Sequence, residues 1–538
     1  MHAVVSIFDG AHLPISIFGI ASGTKTVGHR TLAPRPIKVD SYHDYLKKLE
    51  LASVDVEAEH RKNVMVQRAL VLSKEVGGVP AEDVEIWKQW QFLTEYPGVV
   101  RAEFRREFLA LPEEVLVTVM RVHQKQLPIR DRDARLTNYF LAVLDNEGDP
   151  DGNASYGNSF VTNARFADAQ FFYETDRRKK LEDRVEPLSH LQFHEKLGNY
   201  LEKTKRIENI ATGICTAIGI DGSNVANAAH LCKADLVTEM VKEFTDLQGK
   251  IGGIYAREEG LPETVWQAIY DHYQPVNIDD TLPRNVAGAV VSLADRLDTL
   301  TGFFRIGAKP TGSKDPFALR RAAQGAVQIL LNRDQREVRI TIRRLLDLGL
   351  EAHGETRDAV RADLLAFLAE RIATILEASA WQFAYDEIRA VMESGWAEIP
   401  LTDLVDRISA LKAIRDEPDF LSLLDSAKRI ANITQDHDST NVDPAILEHD
   451  VERRLNDLAE LASSQIAELV ADRRYRDALQ SFAALAPELE TFFKEVMVMV
   501  DDPRVRANRK SLLLKVANAI RPIADVSKIV VDRRDYRA

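Results

Sequence analysis

Cysteine, long apolar runs and leader features are scarce or absent in this 538-residue chain. Two thiols, Cys215 and Cys232, cannot build a zinc site or a disulfide framework, so we expect a reducing compartment, the cytoplasm. No apolar stretch approaches the roughly 20 residues that a membrane helix needs, and residues 3–8 lack the basic region of a signal peptide. The sequence therefore predicts no membrane association.

Basic residues are also outnumbered, because the chain has 70 basic and 83 acidic residues and therefore a formal charge of −13. This balance excludes nucleic-acid binding through bulk positive charge, but it leaves room for local basic patches. Hydrophobic residues make up 45% of the chain, which is ordinary for a folded protein. The length exceeds what one hydrophobic core supports, so we predict several domains.

Most catalytic signatures are missing from the sequence. There is neither a GxxxxGK[ST] phosphate loop nor a GxSxG elbow, and a zincin-like start at His194-Glu195 has Gly198 where the second histidine must stand. Phe104-Arg105-Arg106-Glu107 fits the short FRxE pattern that clamps ATP in class II synthetases. No glycine-rich partner motif follows it, so a solvated run of charges is favoured.

The order of local signals predicts a multidomain, mainly α-helical protein. Strand-like runs occur at 3–8, 15–20 and 99–104, and Ser41 opens a helical stretch to about residue 76. Long helices follow residue 150, and Asp315-Pro316 marks the start of a helix at 317–331. We predict an α+β domain at 1–170, a helical domain at 171–335, a helical linker or body at 336–400 and a helical domain at 401–538.

Four side chains in the helical middle have the types that bind metal in HD phosphohydrolases: His194, Asp235, His272 and Asp295. Those enzymes need a histidine, a His-Asp pair and a late aspartate together to polarise a phosphoester and its attacking water. Here the pair reads Ala234-Asp235, so one imidazole is replaced by a methyl group. We therefore predict no bound metal and a degenerate, HD-like centre.

The segment 305–321 carries five basic residues and one acidic residue, a local charge of +4. Lysines on a Gly/Pro-rich loop, with free backbone N–H groups at a helix start, would suit an RNA phosphate. A loop with solvated lysines is an equally good interpretation. The candidate side chains are Lys309, Lys314, Arg320 and Arg321.

The C-terminal stretch 501–538 carries ten basic and five acidic residues, a local charge of +5. Three arginines surround an asparagine there, and a similar set lies upstream on a predicted helix. Guanidinium groups suit phosphates and an amide suits base edges. The stretches predict an RNA surface built from Arg504, Arg506, Asn508, Arg509, Lys428, Arg429 and Asn432.

Seven stretches, 28–30, 109–116, 167–173, 193–198, 232–241, 293–300 and 309–321, together resemble the beta-subunit family of bacterial heterotetrameric glycine–tRNA ligase, or glycyl-tRNA synthetase. The C-terminal part is similar to the family's DALR-type anticodon-binding bundle through Arg476-Asp477-Ala478-Leu479, 492–499 and 504–509. The likeness runs in order over nearly the whole chain, which makes it more specific than any single motif.

The resemblance implies a division of labour in an aminoacyl-tRNA synthetase. Glycine activation with ATP and Mg would lie on the alpha subunit, and this chain alone would neither activate glycine nor hold a cofactor. Its expected partners are the alpha subunit and tRNA(Gly), not DNA. The C-terminal residues would meet the anticodon end, and Lys309, Lys314, Arg320 and Arg321 the acceptor side.

The resemblance also bears on the first domain and on the alternatives. The family normally has a further N-terminal region, so we expect the domain at 1–170 to be N-terminally incomplete.

One alternative function is that of a metal-dependent HD phosphohydrolase. The other is a complete class I synthetase, but no HIGH-like or KMSKS-like segment is present to stabilise adenylate formation.

Overall fold

The computed structural model describes residues 4–334 and 337–530, which form two compact units. The first unit contains the described residues up to Lys180 together with Asp235–Ile254. The second contains Leu181–Ala234 and the described residues from Tyr255 onward. Among the described helices, none is long and apolar enough to cross a bilayer.

The first unit combines short strands with helices. Its strands are β1 (Val4–Val5), β2 (Ile7–Phe8), β3 (Ala11–His12), β4 (Ser16–Ile17), β5 (Ile20–Gly23), β6 (Lys25–Val27), β7 (Pro36–Lys38), β8 (Val79–Pro80), β9 (Gly98–Glu103), β10 (Leu127–Arg130) and β11 (Leu136–Leu144). Its helices are α1 (Tyr42–Glu50), α2 (Ala58–Lys74), α3 (Val84–Leu93), α4 (Glu113–Thr118), α5 (Asn153–Asp176) and α8 (Glu239–Glu243).

A four-stranded antiparallel sheet, in the order β8-β10-β11-β9, forms the centre of this unit. Side chains alternate between its faces, so Leu141 joins a core with Met65 of α2 and Trp90 of α3. Phe140 is also fully buried, and it stacks on Phe104, which meets Phe166 of α5 edge-on. Because helices cover both faces, β9 and β11 are rich in apolar residues.

The second unit is almost entirely helical. Its two strands are β12 (Gln192–His194) and β13 (Gly198–Asn199). Its helices are α6 (Tyr200–Ile218), α7 (Ser223–Leu231), α9 (Lys250–Glu258, which contains the division between the units), α10 (Glu263–Asp271), α11 (Val286–Arg305), α12 (Leu319–Leu330), α13 (Ile342–Ala352), α14 (Asp358–Ala378), α15 (Tyr385–Met392), α16 (Leu401–Ile414), α17 (Pro418–Ile433), α18 (Asp450–Ala471), α19 (Tyr475–Ala483), α20 (Ala486–Glu495) and α21 (Pro503–Ile520).

Helix α11 is the central element of the helical middle. It is buried around most of its circumference and packs against α6, α7, α10, α12, α13 and α14. Small residues permit these close approaches: a Cβ at Gly302 would lie 2.9 Å from the His353 ring. An all-round buried helix needs apolar residues on every face, so its two aspartates, Asp295 and Asp298, require buried partners.

The mainly α-helical, multidomain fold class is confirmed, as is the strand predicted at 99–104. The single helix predicted from Ser41 to about 76 is wrong. Ser41 does cap α1, accepting a hydrogen bond from the Asp44 N–H at 3.1 Å, but Ser53 has a φ of +56° and separates α1 from α2. The helix predicted from 317 begins at Leu319, because Ala318 has a φ of +53°.

The four-domain division stays a prediction. Residues 235–254 pack in the first unit, although they fall inside the domain predicted at 171–335. Asp176 of α5 stabilises the N-terminus of their helix α8, because its carboxylate accepts hydrogen bonds from the backbone N–H groups of Glu239 and Met240 at 3.0 Å each. Composition along a chain does not reveal that a later segment packs in the first unit, because the contacts join segments that are distant in sequence.

Candidate functional site

A buried lysine links two of the four predicted metal ligands. The Nζ of Lys233 lies 2.6 Å from a carboxylate oxygen of Asp295 and 2.9 Å from Nε2 of His272. It also lies 3.8 Å from the centre of the Tyr273 ring. The Nδ1 of His272 donates to the carbonyl of Ile269 at 2.6 Å, so Nε2 of the neutral ring accepts from the ammonium group.

A second buried lysine extends this centre along α11. Lys203 of α6 contacts Asp295 at 2.7 Å and Asp298 at 2.8 Å, and it donates to Thr299 Oγ1 at 2.9 Å. Arg206, one turn from Lys203, contacts the other oxygen of Asp298 at 2.5 Å. The two aspartates that α11 buries are thus neutralised by cations of the protein itself.

The ionisation of this centre follows from burial and from its neighbours. Burial, helped by the Lys233 ammonium, lowers the pKa of His272 to about 3 from its ordinary 6.5. Burial alone would raise the pKa of Asp295, but Lys203 and Lys233 outweigh it and hold that pKa well below its usual range. Burial opposes the charge of Lys203, yet Asp295 and Asp298 raise its pKa above the ordinary value. The centre contains charged carboxylates, charged ammonium groups and a neutral imidazole.

The other two predicted ligands have different surroundings. His194 lies on β12, and its ring meets Phe303 and Phe317 edge-on. Asp235 belongs to the first unit, where its carboxylate accepts from the backbone N–H groups of Gly249 at 2.6 Å and Gly252 at 3.2 Å. Asp235 therefore fixes the start of a helix. Of the four predicted ligands, His272 and Asp295 both contact Lys233.

Sequence reasoning missed both lysines of this centre. A signal was present, because Lys233 stands between Cys232 and Ala234, and Lys203 lies one turn before the buried Ile207, on the core-facing side of α6. A charged residue in an apolar segment needs a buried partner of opposite charge. Within residues 4–334 and 337–530, no three or more His, Cys, Asp or Glu side chains converge in a way that could hold a metal ion.

Two of the four candidate cations in the basic loop at 305–321 have a partner, and two have none among the described residues. Lys309 forms an ion pair with Asp363, and Arg320 donates to the carbonyl of Gly312 at 2.7 Å. Lys314 and Arg321 are exposed, and within the described ranges their side chains have no ionic or hydrogen-bonded partner. Both are available to an external anion.

The expectation of free N–H groups at this helix start is wrong. The carboxylate of Asp315 accepts from the backbone N–H groups of Leu319 and Arg320, at 2.9 Å each. The Asp315 carboxylate thus occupies the position that an external phosphate would take at the N-terminus of α12. Any anion at this loop would be held by side chains rather than by the helix end.

Part of the predicted C-terminal RNA surface is accessible. Arg429 and Asn432 of α17 and Arg504 of α21 are exposed, and the guanidinium of Arg429 lies 4.2 Å over the Phe493 ring of α20. Lys428 is half-buried. Arg506 is half-buried as well, and it donates to the carbonyl of Val500 at 3.2 Å.

The remaining members of that set are inside the bundle. Asn508 pairs through its amide with the backbone of Asp443, at 2.8 and 3.1 Å. Arg509 is buried and contacts Glu452 at 2.6 Å and Glu448 at 2.7 Å. Their hydrogen-bonding groups are used to join α21 to α18 and to the segment before it.

The charge predicted for the C-terminus falls partly outside the described residues. Residues 531–538 contribute three of the ten basic and two of the five acidic residues of 501–538. The described part therefore holds seven basic and three acidic residues, a charge of +4. The basic character of α21 does not depend on the last eight residues.

Comparison with known proteins gives a consistent result over the whole chain. A family described as "Glycyl-tRNA synthetase beta subunit" matches residues 1–393. A "Glycine--tRNA ligase beta subunit" of Acidobacterium capsulatum is 37% identical over 547 residues, covering 98% of this chain and 77% of the relative. The proteins of the same name from Geobacter metallireducens and Neisseria meningitidis serogroup B are 38% and 33% identical, over 98% of this chain and 77% and 76% of their own lengths.

Proposed function

Because the chain belongs to the glycyl-tRNA synthetase beta-subunit family, we propose that it holds tRNA(Gly) for a separate alpha subunit that activates glycine. Members of this family are subunits of an aminoacyl-tRNA ligase, and this chain is such a subunit. We place the complex in the cytoplasm.

Activation of glycine with ATP and Mg is assigned to the alpha subunit. In this chain, Arg105 and Glu107 of the FRxE-like stretch form an exposed pair at 3.2 Å, the arrangement of a solvated surface. No cofactor is needed by this chain itself. ATP and Mg are used by the complex as a whole.

Anticodon-end binding is assigned to the C-terminal bundle, and the exposed Arg429 on the Phe493 ring carries this assignment. A guanidinium held on an aromatic face can neutralise a phosphate or stack on a splayed base of an anticodon loop. Asn432, Arg504, Lys428 and Arg506 supply further polar contacts. Asn508 and Arg509 maintain the bundle, and Lys314 and Arg321 are left for the acceptor side.

The buried centre argues against the metal phosphohydrolase alternative, which the comparisons also leave without support. Lys233 occupies the space between His272 and Asp295 that a metal ion would need. The HD-like middle is then a scaffold in which the buried Lys233 ammonium neutralises Asp295.

Reconstitution tests the division of labour. The purified chain is assayed for glycine-dependent ATP–pyrophosphate exchange and for tRNA(Gly) binding, first alone and then with the alpha subunit. We expect background exchange with measurable tRNA binding alone, and robust exchange once the alpha subunit is added. Strong exchange by the chain alone, or absence of tRNA binding in both states, would overturn the proposal.

A further inference from the structure

An open groove of about 760 Å³ lies in the first unit, where β9 and its following turn run beside the first half of α5. None of the residues that line it is among those assigned above to tRNA binding. Its wall-forming side chains include Arg101, Glu103, Arg105, Arg106, Tyr139 and Tyr156.

Tyr156 lines this groove, and the neighbouring ring of Phe160 stacks on it to form an exposed aromatic ladder. Tyr156 and Phe160 are four residues apart on α5, so they share a face, and their rings stack with centroids 6.4 Å apart and planes at 27°. The two side chains are 71% and 66% exposed. Single exposed apolar residues are common, but a stacked and exposed aromatic pair beside a polar groove indicates a binding surface.

Cations border the same groove. Arg106 is exposed, and its side chain has no ionic or hydrogen-bonded partner among the described residues. The guanidinium of Arg105 lies 4.6 Å over the Phe108 ring and forms an exposed ion pair with Glu107 at 3.2 Å. The guanidinium of Arg101 lies 5.8 Å over the Tyr139 ring, but it is already paired with Glu75 at 2.6 Å, so Arg106 and Arg105 are the cations that a ligand would meet. A ligand that approaches this groove meets guanidinium groups and ring faces together.

The floor of the groove is held by hydrogen bonds between α5 and the β9 strand end. The hydroxyl of Ser159 accepts from the N–H of Glu103 at 3.2 Å, and the amide oxygen of Asn163 accepts from the N–H of Arg105 at 2.8 Å. These bonds fix the aromatic ladder relative to the arginines. A fixed geometry lowers the entropy cost of binding.

We propose that this groove is a second RNA site, which binds an unpaired strand through stacking on Tyr156 and Phe160 and through phosphate contacts to Arg106 and Arg105. Base–aromatic stacking tolerates any sequence, and arginines beside the rings neutralise the strand that runs past them. A duplex offers no free base faces to such a ladder, so the occupant is single-stranded. A protein partner would need an acidic side chain at one particular position to pair Arg106, whereas every nucleotide of an RNA strand supplies a phosphate.

The inference extends the proposed function, on which it rests for the use of tRNA. Binding of a short single-stranded oligoribonucleotide and of a hairpin RNA to the full chain is compared for the wild type, Tyr156→Ala/Phe160→Ala, Arg106→Gln and Phe171→Ala. Phe171 is 65% exposed on the same helix, and its ring meets Phe172 rather than the Tyr156–Phe160 pair, so it is the matched control. We expect the double variant to lose about tenfold or more in affinity for the single strand. Arg106→Gln should lower the salt dependence, and Phe171→Ala should change neither quantity.

Two outcomes overturn the site. One is a double variant that binds the single strand as tightly as Phe171→Ala does. The other is unchanged RNA binding with weaker association of the alpha subunit, which would make the ladder a protein-docking surface. Failure of the proposed function is distinguishable, because the wild-type chain would then not bind tRNA(Gly), whereas failure of the groove alone leaves wild-type binding of tRNA(Gly) intact.

Discussion

The ammonium nitrogen of Lys233 lies 2.6 Å from a carboxylate oxygen of Asp295, and both groups are buried in the helical middle. His272 completes the contact as a neutral acceptor at 2.9 Å. A lysine here supplies the positive charge that a metal ion supplies between histidine and aspartate ligands elsewhere. The carboxylate is neutralised without any bound ion, so the helices can pack around it.

We expect the purified chain to contain no stoichiometric transition metal in this centre. A divalent ion would have to displace the Lys233 ammonium from its two partners, at the cost of leaving a buried charge unpaired. Elemental analysis after gentle purification measures the metal, and the melting temperature should be unchanged by a chelator, because no bound ion stabilises the folded state. A full equivalent of metal that disappears in Asp295→Asn would contradict this expectation.

Removing the second lysine should destabilise the fold. Lys203→Met leaves Asp298 and Asp295 with fewer buried countercharges, and breaking a buried ion pair in this way costs about 3–5 kcal/mol. Lys205→Met is the matched control, because Lys205 is exposed on the same helix and its loss should change stability by less than about 0.5 kcal/mol. Urea unfolding of both variants measures the difference, and equal midpoints would refute the structural role of Lys203.

Stability should fall as the pH drops below the ordinary pKa of histidine. The folded pKa of His272 is lowered from 6.5 to about 3, so the unfolded chain takes up this proton more readily than the folded one. The stabilisation is present in full above pH 6.5 and is lost between pH 6.5 and about 3, with a slope that approaches about 1.4 kcal/mol per pH unit. His272→Gln should show a flatter unfolding profile between pH 7 and 5, and identical profiles would exclude His272 as the cause.

Neutralising Arg429 should weaken tRNA binding. Arg429→Gln removes one exposed guanidinium from the Phe493 ring, and the salt slope of tRNA(Gly) binding should fall by about one. Arg474→Gln removes the same charge from an exposed arginine of the same bundle that pairs with Asp477. Filter binding over a salt series compares the two, and a shared response would mean that general charge, rather than Arg429, decides affinity.

Substitution of Arg509 should lower stability, whereas substitution of Arg504 should weaken tRNA binding, although both residues are on α21. Arg509→Met leaves the fully buried Glu452 without its guanidinium, at an expected cost of about 3–5 kcal/mol in unfolding free energy. Arg504→Gln should leave stability within about 0.5 kcal/mol and should weaken tRNA binding. Thermal unfolding and filter binding separate the two effects, and a stable Arg509→Met variant with weakened tRNA binding would contradict the assignment.

Local signals in the sequence were sufficient for elements whose causes are local. Ser41 marks the first helix because its hydroxyl satisfies a nearby N–H, and the apolar residues of 99–104 mark a strand covered on both faces. The same reasoning placed Asp315 at a helix start, and its carboxylate does accept from backbone N–H groups there, but the reasoning failed for the first helical residue and for the free N–H groups expected at the basic loop. That failure has a local cause too: Ala318 adopts a left-handed conformation that delays the helix start and brings Leu319 and Arg320 to the carboxylate.

By itself, the sequence determined the family, the mainly helical fold class and the types of side chain that the helical middle and the C-terminal bundle contain. Composition and order along the chain carry that information. Only the tertiary structure decided which of two neighbouring arginines, such as Arg504 and Arg509, faces solvent and which pairs with Glu452. It also decided that Lys233 lies between His272 and Asp295. Such pairings join residues 39 and 62 positions apart, and burial makes them obligatory, because a charge removed from water needs a partner that only the packed helices can bring to it.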